Sequence, residues 1–282
     1  MSDKNKRRLV QSLKKKEDNV VTINQEKCIG CGLCAADCSV GSIMIKEKKA
    51  VIKNDCFHCG HCVAICPSGA VSIPEYDMDD VEEYEKKSFC VEPEKLLHSI
   101  KFRRSVRSYK PVKVQREELE KLLQAGRYTA TAKNNQDCHF VFVQDALDRL
   151  KEMVWEYIDE MEKREGRNIA RELLPYVAFN RRRKKDPKDD YLFRNAPVVL
   201  FITSDWPLDA GLAAQNIENM AVSLGLGVLY NGYLARIAEA NKELKQWLEI
   251  EGKTIKACML LGYPERIYAR TAPRKEANVI WK

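Results

Sequence analysis

Apolar residues in the last two-thirds of the chain recur at helical spacing, and three short runs break that rhythm. Leu119, Leu122 and Leu123 share one helix face, and Leu147, Leu150, Met153, Val154, Tyr157, Ile158 and Met161 share a longer one. A stretch with Leu96, Leu97 and Ile100 and another from Asp209 through Leu224 have the same period. Asn241 suits the N-cap of a helix carrying Leu244, Trp247 and Leu248, because its side-chain oxygen can accept from an otherwise orphaned N–H. His139–Val143, Val198–Thr203 behind Pro197, and Ala257–Leu261 before Gly262 are continuous apolar runs too short for helices and predict buried strands. This part of the chain is therefore expected to alternate α and β. The first quarter is different: short β-branched pieces, Val20–Ile23 and Val51–Ile52, each precede a group of cysteines, and Ser42–Ile45 and Ala70–Ile73 each follow one, which predicts small hairpins.

With 282 residues, 45% hydrophobic and 32% charged, the chain can bury at least one full core and is not a disordered polymer. No apolar run approaches the roughly 20 residues that span a bilayer, and the first residues lack the apolar stretch of a signal peptide, so a cytoplasmic location without membrane contact is expected. The net charge is +7, and Lys4, Lys6, Arg7, Arg8, Lys14, Lys15 and Lys16 concentrate much of it in a basic arm over residues 1–18. Such arms are generally solvated; with no recognition motif beside it, a nucleic-acid partner is not expected.

Eight of the 11 cysteines lie between Cys28 and Cys66. They read Cys28-x2-Cys31-x2-Cys34-x3-Cys38 and Cys56-x2-Cys59-x2-Cys62-x3-Cys66-Pro67, an internal repeat at an offset of 28 residues that also superimposes Gly32 on Gly60, Gly41 on Gly69 and Ile45 on Ile73. Residues 19–75 resemble the bacterial two-[4Fe–4S] ferredoxins, with Ser39 standing where the second motif has Pro67. Three thiolates at this spacing bend around one cubane while the fourth reaches the other. The expected ligand sets are Cys28, Cys31, Cys34 and Cys66 for one cluster and Cys56, Cys59, Cys62 and Cys38 for the other. A zinc tetrahedron has no use for a third cysteine at x2, and disulfides are disfavoured in a cytosolic chain. His58 and His61 are expected to donate hydrogen bonds near the clusters or to face solvent, not to ligate.

Residues 76–92 are acidic with little periodic apolar content and read as a linker. Beyond them no dinucleotide fingerprint occurs, since Gly225 and Gly227 are followed by glycine only at Gly232, and no P-loop occurs either. Arg103-Arg104-Ser105-Val106-Arg107 sets three guanidinium forks, which suit phosphate oxygens, beside a hydroxyl. Thr131-Ala132-Lys133-Asn134-Asn135-Gln136 follows between a helix and a strand, and Arg274-Lys275 lies near the end. On these motifs residues 93–282 resemble the FMN-dependent nitroreductase family, in the branch with a ferredoxin module in front: an R-x-S-x-R start, an S-x-x-N-x-Q segment and a basic C-terminal residue occur in the same order. The expected fold is thus α+β, a small duplicated ferredoxin domain followed by a nitroreductase-like α/β flavin domain.

The resemblance implies that Arg103, Arg104, Ser105 and Arg107 hold the FMN phosphate and pyrimidine edge, with Arg274 and Lys275 adding phosphate contacts. It implies that Thr131, Asn134 and Gln136 reach the flavin across a homodimer interface, and that the loop from Gly225 to Gly232 brings Asn231 and Gly232 near flavin N5. Threonine for serine at Thr131 preserves the hydroxyl; Asp137-Cys138 replaces the family's frequent Pro-Trp. Cys138, at a strand start beside His139, reads as a buried small hydrophobe and not as a catalytic thiol. The run Arg181-Arg182-Arg183-Lys184-Lys185 reads as a solvated loop, attraction of an anionic substrate or partner being the alternative. The two modules together predict an oxidoreductase. Electrons from reduced ferredoxin or another low-potential donor pass through two [4Fe–4S] clusters to FMN, which reduces a nitro, quinone or ene compound without a catalytic side chain. The alternatives are an electron-transfer adaptor for a larger redox complex and an NAD(P)H-dependent flavin reductase with the clusters as outlet.

Overall fold

The computed structural model describes residues 21–53, 56–166 and 168–282, so the basic arm expected at 1–18 lies outside the described residues. The chain divides into two units, one holding the residues up to Cys90 together with Lys133–Asn135, the other Val91–Ala132 and Gln136–Lys282. The division falls between Cys90 and Val91, so most of the acidic segment taken as a linker groups with the first unit.

The first unit contains β1 (Thr22–Ile23), α1 (Leu33–Asp37), β2 (Ile43–Lys46), β3 (Lys49–Ile52), α2 (His61–Ala64), β4 (Val71–Ser72) and α3 (Lys86–Phe89). The strands do not form a hairpin around each cysteine group, as the sequence suggested. They pair across the repeat: β1 with β4, and β2 with β3, both antiparallel. A cysteine loop and a helix separate the two strands of each half, so the edge within reach belongs to the other half. Glu47 and Lys48, at φ 51° and 60°, form the two-residue turn between β2 and β3. Gly30 and its repeat partner His58 share a left-handed backbone, φ 68° and 51°. At Gly30 a Cβ would stand 1.9 Å from the Lys48 carbonyl oxygen, so glycine is required there. The core of this unit is small, and Cys28, Cys34 and Cys62 belong to it beside Val21, Ile43, Ala70, Val71 and Ile73.

The second unit is built on one antiparallel sheet in the order β5-β6-β8-β7, where β5 is His139–Val143, β6 Val198–Thr203, β7 Gly227–Tyr230 and β8 Ile255–Gly262. Its helices are α4 (Pro93–Phe102), α5 (Arg116–Arg127), α6 (Leu147–Glu165), α7 (Leu174–Lys185), α8 (Pro207–Ser223), α9 (Gly232–Ala240) and α10 (Lys242–Trp247). All six residues of β6 are buried, which is why it reads as an unbroken apolar run and not as an alternation. Alternate residues still part company: Val199 and Phe201 join a core with Leu150, Val154 and Ile158 of α6 and Leu234 of α9. Val198, Leu200 and Ile202 join another with Leu119 and Leu122 of α5 and Ala214 and Ile217 of α8. Asn241 caps α10 as expected, its Oδ1 accepting from Leu244 N at 3.0 Å. Among the described residues no helix is long and apolar enough to cross a membrane.

Two expectations are corrected here. The segment read as a glycine-containing loop holds strand β7, which a four-residue Gly-Val-Leu-Tyr run is too short to announce. The basic run Arg181–Lys185 is not a loop but the last turn of α7, where cations suit the negative end of the helix dipole. Arg182 is bidentate to Asp189 at 2.7 and 2.9 Å, and Lys184 pairs with Asp159.

The edge of β7 receives the segment after α4. Ser105 bridges Val228 in parallel, and Val106 N donates to Val228 O at 2.9 Å. This approach is close because Gly227 has no side chain: a Cβ there would meet Val106 Cγ2 at 2.5 Å. Gly227→Ala is therefore expected to lower the stability of the second unit by about 1–3 kcal/mol through overpacking. All four tryptophans lie in this unit, so urea unfolding followed by tryptophan fluorescence reads the effect; an unchanged midpoint would show that Val106 yields at no cost.

Candidate functional site

In the first unit the eight cysteines line two cavities in crossed sets. Cys28, Cys31, Cys34 and Cys66 surround one, with Ile23, Ile45 and Val71 among its walls. Cys38, Cys56, Cys59 and Cys62 surround the other, with Val21, Ile43 and Ile52. Backbone N–H groups point at the sulfurs. Ser42 N donates to Cys38 Sγ at 3.2 Å and Ala70 N, its repeat partner, to Cys66 Sγ at 3.3 Å. Burial opposes ionisation of both thiols, yet hydrogen bonds led by these N–H groups outweigh it and hold them below the usual thiol range. Burial wins at Cys62, pushing its thiol up to about 11, and raises Cys34 as well; both need a metal to bind them as thiolates. Among the described residues no three such side chains converge on a single-ion site, whereas a zinc ion needs its donors within about 2.0–2.3 Å of one point. Four thiols around a shared apolar-walled space fit a cubane, which takes each on its own iron. The imidazoles face carboxylates: His58 Nδ1 pairs with Glu75, and His61 Nδ1 lies 3.2 Å from Asp37 Oδ2.

In the second unit the bridge to β7 sets out the arginine run. Arg103, at the end of α4, donates from Nη1 to Glu218 Oε1 of α8 at 3.1 Å; Glu218 is only 2% exposed. Arg104 lies over the Tyr268 ring, 5.2 Å from its centroid. Arg107 enters the wall of a cavity of about 440 Å³ that is also lined by Asn231 and Gly232. Asn231 is buried and its amide is committed: Nδ2 donates to Leu192 O at 2.7 Å and Oδ1 accepts from Leu234 N at 3.0 Å, capping α9. It shapes the cavity wall with its Oδ1 and one of the two Nδ2 hydrogens already engaged. No carboxylate lines this cavity among the described residues, and its donors are guanidinium, phenol and backbone groups, a set that fits an anionic aromatic cofactor.

Residues 100–263 match the nitroreductase family, and residues 27–70 match the 4Fe-4S dicluster domain. The chain belongs to the nitroreductase family. A protein of Archaeoglobus fulgidus assigned as an NADH dehydrogenase/NAD(P)H nitroreductase is 28% identical over 173 residues, 61% of this chain and 87% of that protein. One of Methanothermobacter thermautotrophicus with the same assignment is 27% identical over 179 residues, 60% of this chain and 77% of that protein. Among solved structures, the nitroreductase with bound FMN from Bacteroides fragilis has a TM-score of 0.52 at 20% identity, covering 66% of this chain and 97% of that one. The FMN-dependent nitroreductase of Clostridium difficile has 0.52 at 22%, covering 67% and 100%. The nitroreductase fold of the second unit is thereby shown.

The nitroreductase unit brings only part of the sequence-derived set together. Arg107, Asn231 and Gly232 share the cavity, and Ser105 is bridged to β7 beside it. Thr131 and Gln136 are held by each other, Gln136 N donating to Thr131 Oγ1 at 3.0 Å. Asn134 groups with the dicluster unit, where its Nδ2 donates to His58 O at 3.0 Å. Arg274 and Lys275 are exposed on a segment without regular structure. Asp137 anchors a turn, its Oδ2 accepting from Ser204 Oγ at 3.0 Å and Asp205 N at 2.6 Å. Burial, then the neighbouring Asp137, raises the Cys138 thiol and keeps it protonated at neutral pH. Sequence reasoning missed Glu218, Phe179, Tyr191, Arg194, Tyr233 and Arg236. Glu218 had a legible signal: it is an acid on the apolar face that Ala214, Ile217 and Ala221 define.

Arg103→Ala would strand the buried Glu218 carboxylate and is expected to cost about 2–3 kcal/mol, while adding Glu218→Gln should return part of that loss. Urea midpoints of the two single variants and the double variant check this; a double variant no better than Arg103→Ala would mean that packing, not charge, carries the cost.

Proposed function

We propose that this nitroreductase-family chain is an iron–sulfur flavoprotein oxidoreductase. It takes electrons one at a time from reduced ferredoxin or another low-potential donor at two [4Fe–4S] clusters and delivers them at FMN to a nitro, quinone or ene compound. The observation that carries the reading is the pair of four-cysteine cavities in the same chain as a nitroreductase unit. Cys28, Cys31, Cys34 and Cys66 hold one cluster, and Cys56, Cys59, Cys62 and Cys38 the other. Cys31 and Cys59 are exposed, which gives each cluster an edge open to a donor.

FMN is held by Arg103, Arg104, Ser105 and Arg107, with Asn231 and Gly232 at the cavity wall. Thr131, Asn134 and Gln136 add contacts from a second subunit of a homodimer, and Arg274 and Lys275 add phosphate contacts. The flavin, when bound, supplies two-electron or one-electron reduction of an organic acceptor, which single clusters cannot. The arginines neutralise its phosphate, and backbone N–H groups at the start of α9 offer donors without an ionisable side chain. The homodimer is supported by the apolar face of α4, where Leu96, Leu97, Ile100 and Phe102 are each more than 40% exposed in the single chain.

Anaerobically purified protein is expected to contain about eight irons, eight sulfides and one FMN per chain. Cys66→Ser should impair the cluster held by Cys28, Cys31 and Cys34, and Cys38→Ser the other. Stopped-flow flavin reduction by reduced ferredoxin should slow by about tenfold or more in each, at unchanged flavin content. Unaltered rates in both variants would sink the cluster route. The assignments of the archaeal relatives favour a second reading, direct oxidation of NAD(P)H; flavin reduction by NADH that is equally fast in the cysteine variants would select it.

A further inference from the structure

The cavity that holds Arg107 extends beyond the residues the family resemblance assigns to the flavin. Its remaining wall carries Phe179, Tyr191, Arg194, Tyr233 and Arg236. Two of these are cations, and the lining contains no Asp or Glu. Among the described residues neither Arg194 nor Arg236 has a carboxylate within ion-pairing distance. Asp189, whose carboxyl is held below its usual range first by a hydrogen bond from Arg182 and more weakly by Arg194, is taken by the Arg182 fork. Uncompensated guanidinium groups gathered in a concave site favour an anion, and the planar fork of arginine suits a carboxylate.

Arg194 is held in place at a conformational cost. Its φ is 56° and that of Asn195 is 54°, a left-handed pair without glycine, which L side chains adopt only at a cost. The turn is fixed from several sides: Arg194 N donates to Asp190 O at 2.6 Å, Phe193 N to Asp190 Oδ1 at 3.0 Å, and buried Asp190 pairs with Lys151 at 2.8 Å. The guanidinium carbon lies over Tyr191, 3.5 Å from the ring centroid. Tyr191 in turn stacks on Phe179 at 4.8 Å and 26°, and Phe179 meets Tyr233 edge-on at 5.1 Å. Arg236 stands one helical turn beyond Gly232 on α9 and so presents its charge on the same side as that backbone. Both faces of Tyr191 are thereby covered, and the wall combines the exposed Tyr233 ring with two cations that have no acid partner on it.

From this we infer that the acceptor side of the cavity takes a planar aromatic compound bearing a carboxylate, with the anion on Arg194 and Arg236 and the ring against the exposed Tyr233. The inference rests on the flavin reading above, since it leaves Arg107 to the cofactor and gives the other two arginines to the acceptor. Arg194 and Arg236 are then specificity residues for the reaction.

The test uses the full-length holoprotein, oxidised and without an electron donor, so that binding is read apart from turnover. Calorimetric titration with 4-nitrobenzoate and with its neutral isostere 4-nitrobenzamide should give a dissociation constant at least about tenfold lower for the anion, shrinking as salt is raised. Arg194→Ala and Arg236→Ala should each reduce that preference by about fivefold or more while retaining wild-type FMN content. Arg181→Ala, a charge removal on the exposed side of α7, should leave the preference unchanged. Equal affinity for the two compounds, or a preference that survives the Arg194→Ala/Arg236→Ala double substitution, overturns the inference. So does loss of FMN from either variant, which would give these arginines to the cofactor. Protein that purifies without FMN but retains an arginine-dependent preference for 4-nitrobenzoate would refute the flavin reading and leave the anion site standing.

Discussion

Burial of β6 on both faces is the constraint from which the nitroreductase unit follows. A strand with helices above and below has no water to satisfy its backbone, so both of its edges must be paired, and β5 and β8 supply the partners. β8 then has one edge left, which β7 takes. The outer edge of β7 receives Ser105 and Val106, and Tyr109 stitches the same segment inward by donating to Val106 O at 2.9 Å and Leu260 O at 3.2 Å. The arginine run is therefore positioned by the sheet, at the end of a chain of backbone pairings that starts in the core. A site built this way is more rigid than one on a free loop. Gly227 is its narrowest point, since the whole arrangement needs the backbone of β7 to lie against the Val106 side chain.

The dicluster unit obeys the opposite logic. Among the described residues its sheets have two strands each, the longest strand has four residues, and three of the nine members of its core are cysteines. Isolated two-stranded ribbons are marginal in water, and a core of this size does not offset the chain entropy of ordering the unit. The sulfurs need a cross-link to hold the halves together, and the crossed sets provide it. Cys66 belongs with the first half's cavity and Cys38 with the second's, so whatever the cavities bind ties the two halves of the repeat to each other. Binding energy and folding energy are then the same quantity.

These two regimes explain what could be read in the sequence. The cysteine sets were legible because their spacing is local and each residue type has one chemistry at that spacing. Val198–Thr203 was legible to the residue because a strand buried on both faces leaves an uninterrupted apolar run, and His139–Val143, partly covered on both faces, leaves a similar one. β7 was not, because four residues beginning with glycine carry no periodicity and its existence depends on an edge left open by distant strands. The crosswise pairing of β1 with β4 was hidden for the same reason: two-residue strands gain their register from the repeat, not from their own pattern. The basic run in α7 misled because its partners, Asp159, Glu162 and Asp189, lie elsewhere in the chain, and a charge cluster with its counter-ions unseen resembles a loop.

The same blindness covers the acceptor wall. Arg107 belonged to a readable motif, whereas Arg194 and Arg236 stand alone in sequence, one in a left-handed turn and one in the middle of a helix. What they share is a place on a cavity wall that carries no acid, whereas Arg103 is paired with Glu218, Arg182 with Asp189 and Lys151 with Asp190. A cation on a convex surface needs no partner, since water screens it. In a cavity walled by Phe179, Tyr191 and Leu229 the screening is weaker, and each added guanidinium raises the energy of the next. Half-buried Arg194 and exposed Arg236 then add two positive charges to one concave wall, a field that favours an anion there. That is the physical ground for giving the wall to a charged acceptor and not to a neutral one.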